Sequence, residues 1–259
     1  MEKTPYPRDR ETALQHQSGM MSRFERDYSD LVDLAVHDLD APLRKLTVMV
    51  GMLTSKLQAD KDVQSYIERI GNCIGDMRSL IDDLSILGKI NFNETELTSF
   101  NIEDIVQQAL QDLPSVIKEK KAVTTTHSLP AIEGDPRLCR LLFKNLLENA
   151  IKFNKTNTPP QIHIQSCVLT PKEKNDLNLT GDRLYHRIDI TDNGIGFKDE
   201  HAEKIFQPFV RLHGKSQFAG NGIGLAMCKK ITDIHHGIIY AEGRENEGAR
   251  FILILPESH

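Results

Sequence analysis

The sequence predicts an α+β chain in two parts: an antiparallel helical hairpin that pairs with a second copy into a four-helix bundle, followed by an α/β-sandwich domain. Three observations carry that expectation. Apolar residues step by alternating fours and threes through Val32, Val36, Leu39, Leu43, Leu46, Val50, Leu53 and Leu57, and again through Val63, Ile67, Ile70, Ile74, Met77, Ile81 and Leu84. That spacing is the heptad signature of two amphipathic helices, and the polar stretch 58–62 between them reads as a turn. After about Asn91 the period changes, and strand-like runs alternate with helical ones.

Taken in order, residues 1–30 are a polar lead whose segment 24–28 is charged and helix-prone, and residues 31–92 hold both seams. The two apolar stripes are too long to be covered within one helix pair, so a second hairpin is needed to bury them. The remaining domain, 93–259, has strand-like runs at 123–126, 161–169, 185–190, 237–241 and 250–255, and helical patterns near 101–120, 136–153 and 222–236. Asp135 and Pro136 read as the N-cap and first residue of one helix, and Gly237 as the stop of another. Residues 170–184, rich in Lys, Asn and Asp, read as a solvated loop between strands.

Composition excludes several classes. The chain has 39% hydrophobic and 27% charged residues, the proportions of an ordinary globular protein. Its net charge of -5, with both signs interspersed, supplies no basic stripe for a nucleic-acid backbone. The four cysteines, Cys73, Cys139, Cys167 and Cys228, form no C-x-x-C pair and read as reduced, mostly packed thiols. No apolar run approaches the roughly 18 residues of a membrane span, and the polar start has no apolar core of a secretory signal. The expectation is a cytoplasmic chain with no span of its own; any membrane or sensory segment belongs to another chain or to a longer parent protein.

Four short stretches carry chemistry. His37 follows seam residue Val36, so it flanks the first helix within reach of solvent. A carboxylate at Asp38, bonded to one imidazole nitrogen, leaves the other as a nucleophile. Pro42, inside an otherwise helical heptad, removes a backbone hydrogen bond at a cost of roughly 3 kcal/mol, and so marks local geometry. Asn145 and Asn149 stand one helical turn apart on an otherwise apolar helix, where amide oxygens suit a hard cation and Lys152 adds charge for phosphate. Asp192 ends a strand and enters a turn containing Gly194 and Gly196. Gly220, Gly222 and Gly224 run straight into a helix, where backbone N–H groups make an anion site. Their spacing is not that of a P-loop. His235, His236 and His127 lack suitably spaced partners for a zinc site, and His235 and His236 read as helix C-terminal packing.

The stretch from Val36 to Arg44 closely resembles the phosphoacceptor box of sensor histidine kinases. Four further boxes follow in that family's order. Asn145 to Phe153 looks like the N box, Asp192 to Phe197 the first glycine box, Ile205 to Phe209 the F box, and Gly220 to Leu225 the second glycine box. Together they cover the chain from about residue 30 to its end. The resemblance implies a homodimeric, ATP- and Mg²⁺-dependent kinase that phosphorylates its own His37, with Asp38 orienting the imidazole and accepting its proton. The phosphoryl group then passes to an aspartate on a response-regulator receiver domain. It implies Asn149 as the Mg²⁺ ligand, Asn145 and Lys152 on the nucleotide phosphates, Asp192 on the exocyclic amine of adenine, Gly194 and Gly196 making room for the base, and Gly220, Gly222, Gly224 and Leu225 at the phosphate end. The segment 198–219 resembles the ATP lid, with Arg211 and Lys215 as candidates for the γ-phosphate.

Three positions depart from the commonest family pattern. Asn154 and Asn221 replace residues that are often Thr or Ser, and both still hydrogen-bond. Ala41 stands four residues after the histidine, where members that dephosphorylate their partner carry Thr or Asn to hold a water, so the expectation is a net kinase. Two rival readings fit the sequence less well. Chaperone, topoisomerase and mismatch-repair ATPases share the Asn and glycine boxes but place a base within the N box differently from Glu148 and lack a preceding histidine hairpin. A non-catalytic nucleotide-binding scaffold would have lost His37, Asn149 or Asp192, and none is missing.

Overall fold

The computed structural model describes residues 39, 42–54, 61–90, 97–179, 182–214, 217, 218 and 220–258. His37, Asp38, Ala41 and Lys215 lie outside the described residues, as do the hairpin turn and seam residues Val32, Val36 and Leu57. The chain divides into two compact units on either side of the Lys89 to Ile90 junction.

In the first unit, helix α1 spans 42–54 and helix α2 spans Lys61–Lys89. The heptads sort into two stripes of different exposure. Leu43, Ile67, Ile74 and Ile81 are buried, with Val50 packed against them. The alternate seam residues Leu39, Leu46, Leu53, Ile70 and Met77 are all exposed by 39% or more. One hairpin covers one stripe and leaves the other bare.

The second unit is α+β, with a mixed sheet and helices. Strand β1 (Thr98–Asn101) leads into α3 (Ile102–Gln111), capped by the Asn101 side chain, which accepts from Glu103 N. Pro114 starts a separate helix α4 (Pro114–Lys120), so the single helical pattern expected over 101–120 is two helices: proline cannot donate the backbone bond that would continue the first. Then come β2 (Val123–His127), β3 (Ala131–Gly134), α5 (Pro136–Lys152), β4 (Gln161–Val168), α6 (Pro171–Asp176), β5 (Tyr185–Asp192), α7 (Gly224–Ile234), β6 (Ile238–Arg244) and β7 (Gly248–Pro256).

The main sheet runs β2-β4-β5-β7-β6, with β2 and β4 parallel and the other pairs antiparallel, while β1 and β3 form a small antiparallel pair. Register places Ile162, Ile164, Ile188, Ile190, Phe251, Leu253 and Ile239 on one face, all buried. That face meets the helical layer, whose central member α5 contributes Leu142, Phe143, Leu146, Leu147 and Ile151. Because side chains alternate along a strand, Asp192 shares the inward face of β5 with Ile188 and Ile190, at the strand's end.

The stretch 170–184 joins β4 to β5 and is largely exposed where it is described, as its composition suggests, but it is not all loop. Thr170 and Glu173 form a reciprocal capping box that starts α6, and Leu177 and Leu179 pack with Ile238 against Leu169, Tyr185, Ile252 and Ile254 on the sheet's other face. Glu173 also reaches Arg187 at 3.0 Å, and Arg250 reaches the buried Asp189 at 3.0 Å.

His235 ties the helical layer to the small sheet. It is 1% exposed, its Nε2 accepts from Asp135 N at 2.9 Å, and its Nδ1 donates to Ile231 O at 2.8 Å. Burial holds its pKa below the ordinary value, as suits a neutral ring with one donor and one acceptor nitrogen. The expected C-terminal packing role is thus extended to a bridge onto the α5 cap. Cys139 and Cys228 are buried and Cys73 and Cys167 exposed, so only half of the thiols are packed. No cluster of metal-ligating side chains occurs among the described residues, and no helix among them is long and apolar enough to cross a membrane.

Candidate functional site

The site begins with α5. Asp135 caps it by accepting from Arg137 N and Leu138 N, and Pro136 takes the first position, where no backbone donor is needed. With its apolar stripe against the sheet, α5 leaves Asn145, Asn149 and Lys152 on its other side. Asn145 donates through Nδ2 to Leu141 O, and its Oδ1 lies 2.7 Å from where a side chain on Gly224 would begin. Glycine at the start of α7 is what lets that helix end approach the amide. The side-chain amide of Asn149 bonds to no group among the described residues.

At the far end of α5, Phe153 O accepts from Ile195 N at 2.9 Å, joining the helix to the turn after β5. In that turn Asp192 is 9% exposed, and its Oδ1 accepts from Gly194 N at 2.8 Å and from Ala249 N at 3.2 Å. Both bonds fall on Oδ1, which leaves Oδ2 as an acceptor for a ligand. Burial pushes the Asp192 pKa up, against the two backbone donors and the charge of Lys155, which favour the carboxylate. A methyl group on Gly194 would meet Phe153 O at 2.5 Å, and Gly196, at φ +63, would meet Arg244 O at 2.0 Å. Side chains there would spread the turn apart. Asn193 fastens it sideways, accepting from Gln161 N and donating to Pro159 O.

The third wall is the segment leading into α7. No side chain caps α7, so its first N–H groups stand open to an anion. Gly220, at φ +124, brings the backbone so close to Lys152 that a methyl there would lie 2.6 Å from Nζ. Burial lowers the Lys152 pKa, opposed by Glu148 and aided by Arg211. Arg211 donates to Phe218 O at 2.6 Å. A cavity of about 1520 Å³ opens beside these groups, lined by Lys152, Asn154, Ile195, His213 and Phe218 among others.

The structure therefore gathers Asn145, Asn149, Lys152, Asp192, Gly194, Gly196, Arg211, Gly220, Gly222, Gly224 and Leu225 in the second unit, from α5, the two glycine segments and the stretch between those segments. Comparison with known proteins bears on the family of the chain. Residues 134–259 match the family "Histidine kinase-, DNA gyrase B-, and HSP90-like ATPase". The phytochrome-like protein Cph1 of Synechocystis sp. is 30% identical over 240 residues, covering 91% of this chain and 30% of Cph1. The adaptive-response sensory kinase SasA of Thermosynechococcus vestitus is 28% identical over 240 residues, covering 87% of this chain and 59% of SasA.

The chain belongs to the sensor histidine kinase family. Among solved structures, full-length ShkA in complex with AMPPNP superposes with a TM-score of 0.63 at 20% identity, covering 88% of this chain and 45% of ShkA. The catalytic domain of histidine kinase ThkA gives 0.50 at 26% identity, covering 63% of this chain and 97% of that domain. ThkA in complex with response regulator protein TrrA gives 0.58 at 21% identity, covering 93% and 66%. The chain spans less than two thirds of the length of Cph1 and SasA.

Sequence reasoning about this histidine kinase did not single out Phe153 as a site residue, nor Asn193 and Ala249. Phe153 carried a signal, an aromatic directly after Lys152. The part of Ala249 is a backbone N–H, which no side-chain pattern reveals.

The raised Asp192 pKa has a consequence for stability. A carboxyl whose folded pKa lies above its unfolded value leaves stability intact at low pH and removes it as pH rises through the folded value. Asp192→Asn keeps an oxygen for Gly194 N and Ala249 N without the buried charge. The nucleotide-free variant is therefore expected to gain in unfolding midpoint over wild type on going from about pH 4 to about pH 7. Thermal scans at both pH values measure this, and a variant that loses stability relative to wild type at neutral pH contradicts it.

Proposed function

We propose that this chain is an ATP-dependent protein histidine kinase that phosphorylates its own His37 and passes the phosphoryl group to an aspartate of a response-regulator receiver. The observation that carries the nucleotide half of this reading is Asp192: a carboxylate buried at a strand end, with one oxygen held by two backbone donors and the other left for a ligand. An adenine presents an exocyclic amine to that oxygen, and Phe153 offers the base a flat apolar face. The phosphates run toward Lys152, Arg211 and the open start of α7. Asn149 supplies an amide oxygen for Mg²⁺, an ion that takes few protein ligands and otherwise binds phosphate and water. Held there, Mg²⁺ would neutralise charge on the β and γ phosphates.

The chain's own residues supply the rest. Asp38 takes a proton from one imidazole nitrogen of His37, and the other attacks the γ-phosphorus. A P–N bond forms while the bond to the β-phosphate oxygen breaks, and ADP leaves. Transfer to the receiver breaks that P–N bond and makes an acyl phosphate. The methyl group of Ala41 cannot hydrogen-bond a water for hydrolysis of the receiver's acyl phosphate, which makes the chain a net kinase. The activity is cytoplasmic and uses a homodimer. Support for the partner comes from ThkA, a structure of which holds a response regulator.

Incubation with γ-labelled ATP and Mg²⁺ tests the central step. Label is expected on wild type and not on His37→Gln, and as a phosphoramidate it is lost in acid and survives alkali. Label that survives acid, or persists in His37→Gln, overturns the assignment.

The bare stripe of Leu39, Leu46, Leu53, Ile70 and Met77 supports the dimer, because a second hairpin buries what the first leaves exposed. Light scattering at micromolar concentration is expected to give twice the chain mass, and Ile70→Glu with Met77→Glu to give a monomer. A monomeric wild type contradicts the four-helix bundle.

A further inference from the structure

Asparagine followed by glycine occurs twice in the chain, at Asn193-Gly194 and at Asn221-Gly222. Each pair carries its own internal reaction, because a glycine nitrogen, with no Cβ beside it, can approach and attack the side-chain carbonyl carbon of the asparagine before it. The structure treats the two pairs differently. Gly194 N is committed to Asp192 Oδ1 at 2.8 Å, and the Asn193 amide is held at both ends, accepting from Gln161 N at 2.9 Å and donating to Pro159 O at 3.1 Å. At the second pair, Gly222 O accepts from Phe209 N at 2.9 Å, but Gly222 N donates to no group among the described residues. Its surroundings are also positive. Gly222 lies two residues before α7, whose first turn no side chain caps, and Lys152 Nζ stands 2.6 Å from where a methyl on Gly220 would begin. Positive potential there favours the nitrogen anion that makes the attack.

We propose that Asn221 is a site of spontaneous deamidation, and that the change weakens the nucleotide site from within. Gly222 N attacks Cγ of Asn221. A C–N bond forms, the bond from Cγ to the amide nitrogen breaks, and ammonia leaves with the proton that Gly222 N gives up. Water then opens the cyclic imide at either carbonyl, giving aspartate, or isoaspartate with an extra methylene in the backbone. Asn193 is spared because its attacking nitrogen and both ends of its amide are already bonded. The consequence for ATP rests on the nucleotide reading above, whereas the modification itself does not. A carboxylate one residue from Gly220 competes with phosphate for Lys152. The isoaspartate form also lengthens the backbone between Gly220, at φ +124, and Gly222, at φ +75, where the chain turns into α7.

The test is to incubate the nucleotide-free chain at mildly alkaline pH and to follow both asparagines by peptide mass spectrometry, with isoaspartate methyltransferase labelling as a second readout. Cleavage at Lys198 and Arg211 puts the two on separate peptides. Acid is expected to accumulate at 221 faster than at 193 by roughly tenfold or more, the ratio set by one charge-assisted hydrogen bond that must first open at Gly194 N. In urea, where both pairs are unfolded, the two rates are expected to converge. Equal rates in the folded chain, faster conversion at 193, or a ratio that persists unchanged in urea overturns the site. Calorimetry on the converted protein is expected to show ATP binding weaker by roughly tenfold. Asn221→Gln, whose longer side chain cyclises slowly, is expected to keep through the incubation the affinity it starts with. Conversion at 221 with ATP affinity unchanged overturns the effect on the nucleotide site. Fresh protein that binds no ATP overturns the nucleotide reading and with it that effect, while the rate ratio still decides the modification.

Discussion

Ionised carboxylates avoid protein interiors, and one that is held there at the end of a central strand demands compensation from its surroundings. Asp192 is such a group, and much of the second unit follows from keeping it where it is. The turn after β5 has glycine at 194 and 196 because side chains there would strike Phe153 O and Arg244 O. The start of β7 supplies Ala249 N as a second donor, and Gly248, at φ +121, allows that strand to approach, since a methyl there would lie 2.0 Å from Asp192 O. Asn193 then secures the same turn to the loop before β4. The compensation is incomplete, as the raised pKa records. A ligand that donates a hydrogen bond to Oδ2 completes it, which links the cost of the apo fold to the affinity of the site.

The same economy appears on α5. One face is apolar and fixes the helix against the sheet, which also holds the residues opposite in place. Asn149 needs no partner to keep its place, and its amide stays available. Lys152 is kept half-buried beside Gly220, which weakens its hold on its proton and strengthens its response to an incoming anion.

Much of this was legible in the sequence because it depends on residue type at fixed spacing. The heptads located both hairpin helices, Asp135 with Pro136 located the start of α5, and the glycines located both turns. Pro114 was also visible, yet the apolar pattern running through it hid the division into α3 and α4. Strands β1 and β3 were not legible: each has four residues, too few for alternation to stand out; Ile102 N on Pro130 O extends their pairing, and Glu133 N on Glu257 O ties β3 to the end of β7. The segment 170–184 misled because its charged residues outnumber Leu177 and Leu179, which alone decide its packing. Exposure within the heptads was beyond any periodic reading, since the period gives both stripes and only the structure shows which one a single hairpin covers. The contacts of Phe153 with His213 and Phe218 span 60 and 65 residues of sequence and follow no local rule.

The central claim is that the Asp192 pocket reads the amino group of adenine, and competition between purine nucleotides tests it most directly. Titrating wild type with ATP and with GTP by calorimetry in the presence of Mg²⁺ is expected to show ATP binding and GTP weaker by roughly tenfold or more, because guanine sets a carbonyl against the carboxylate in place of a donor. Equal affinities for ATP and GTP, with equal sensitivity to Asp192→Asn, would place the base elsewhere.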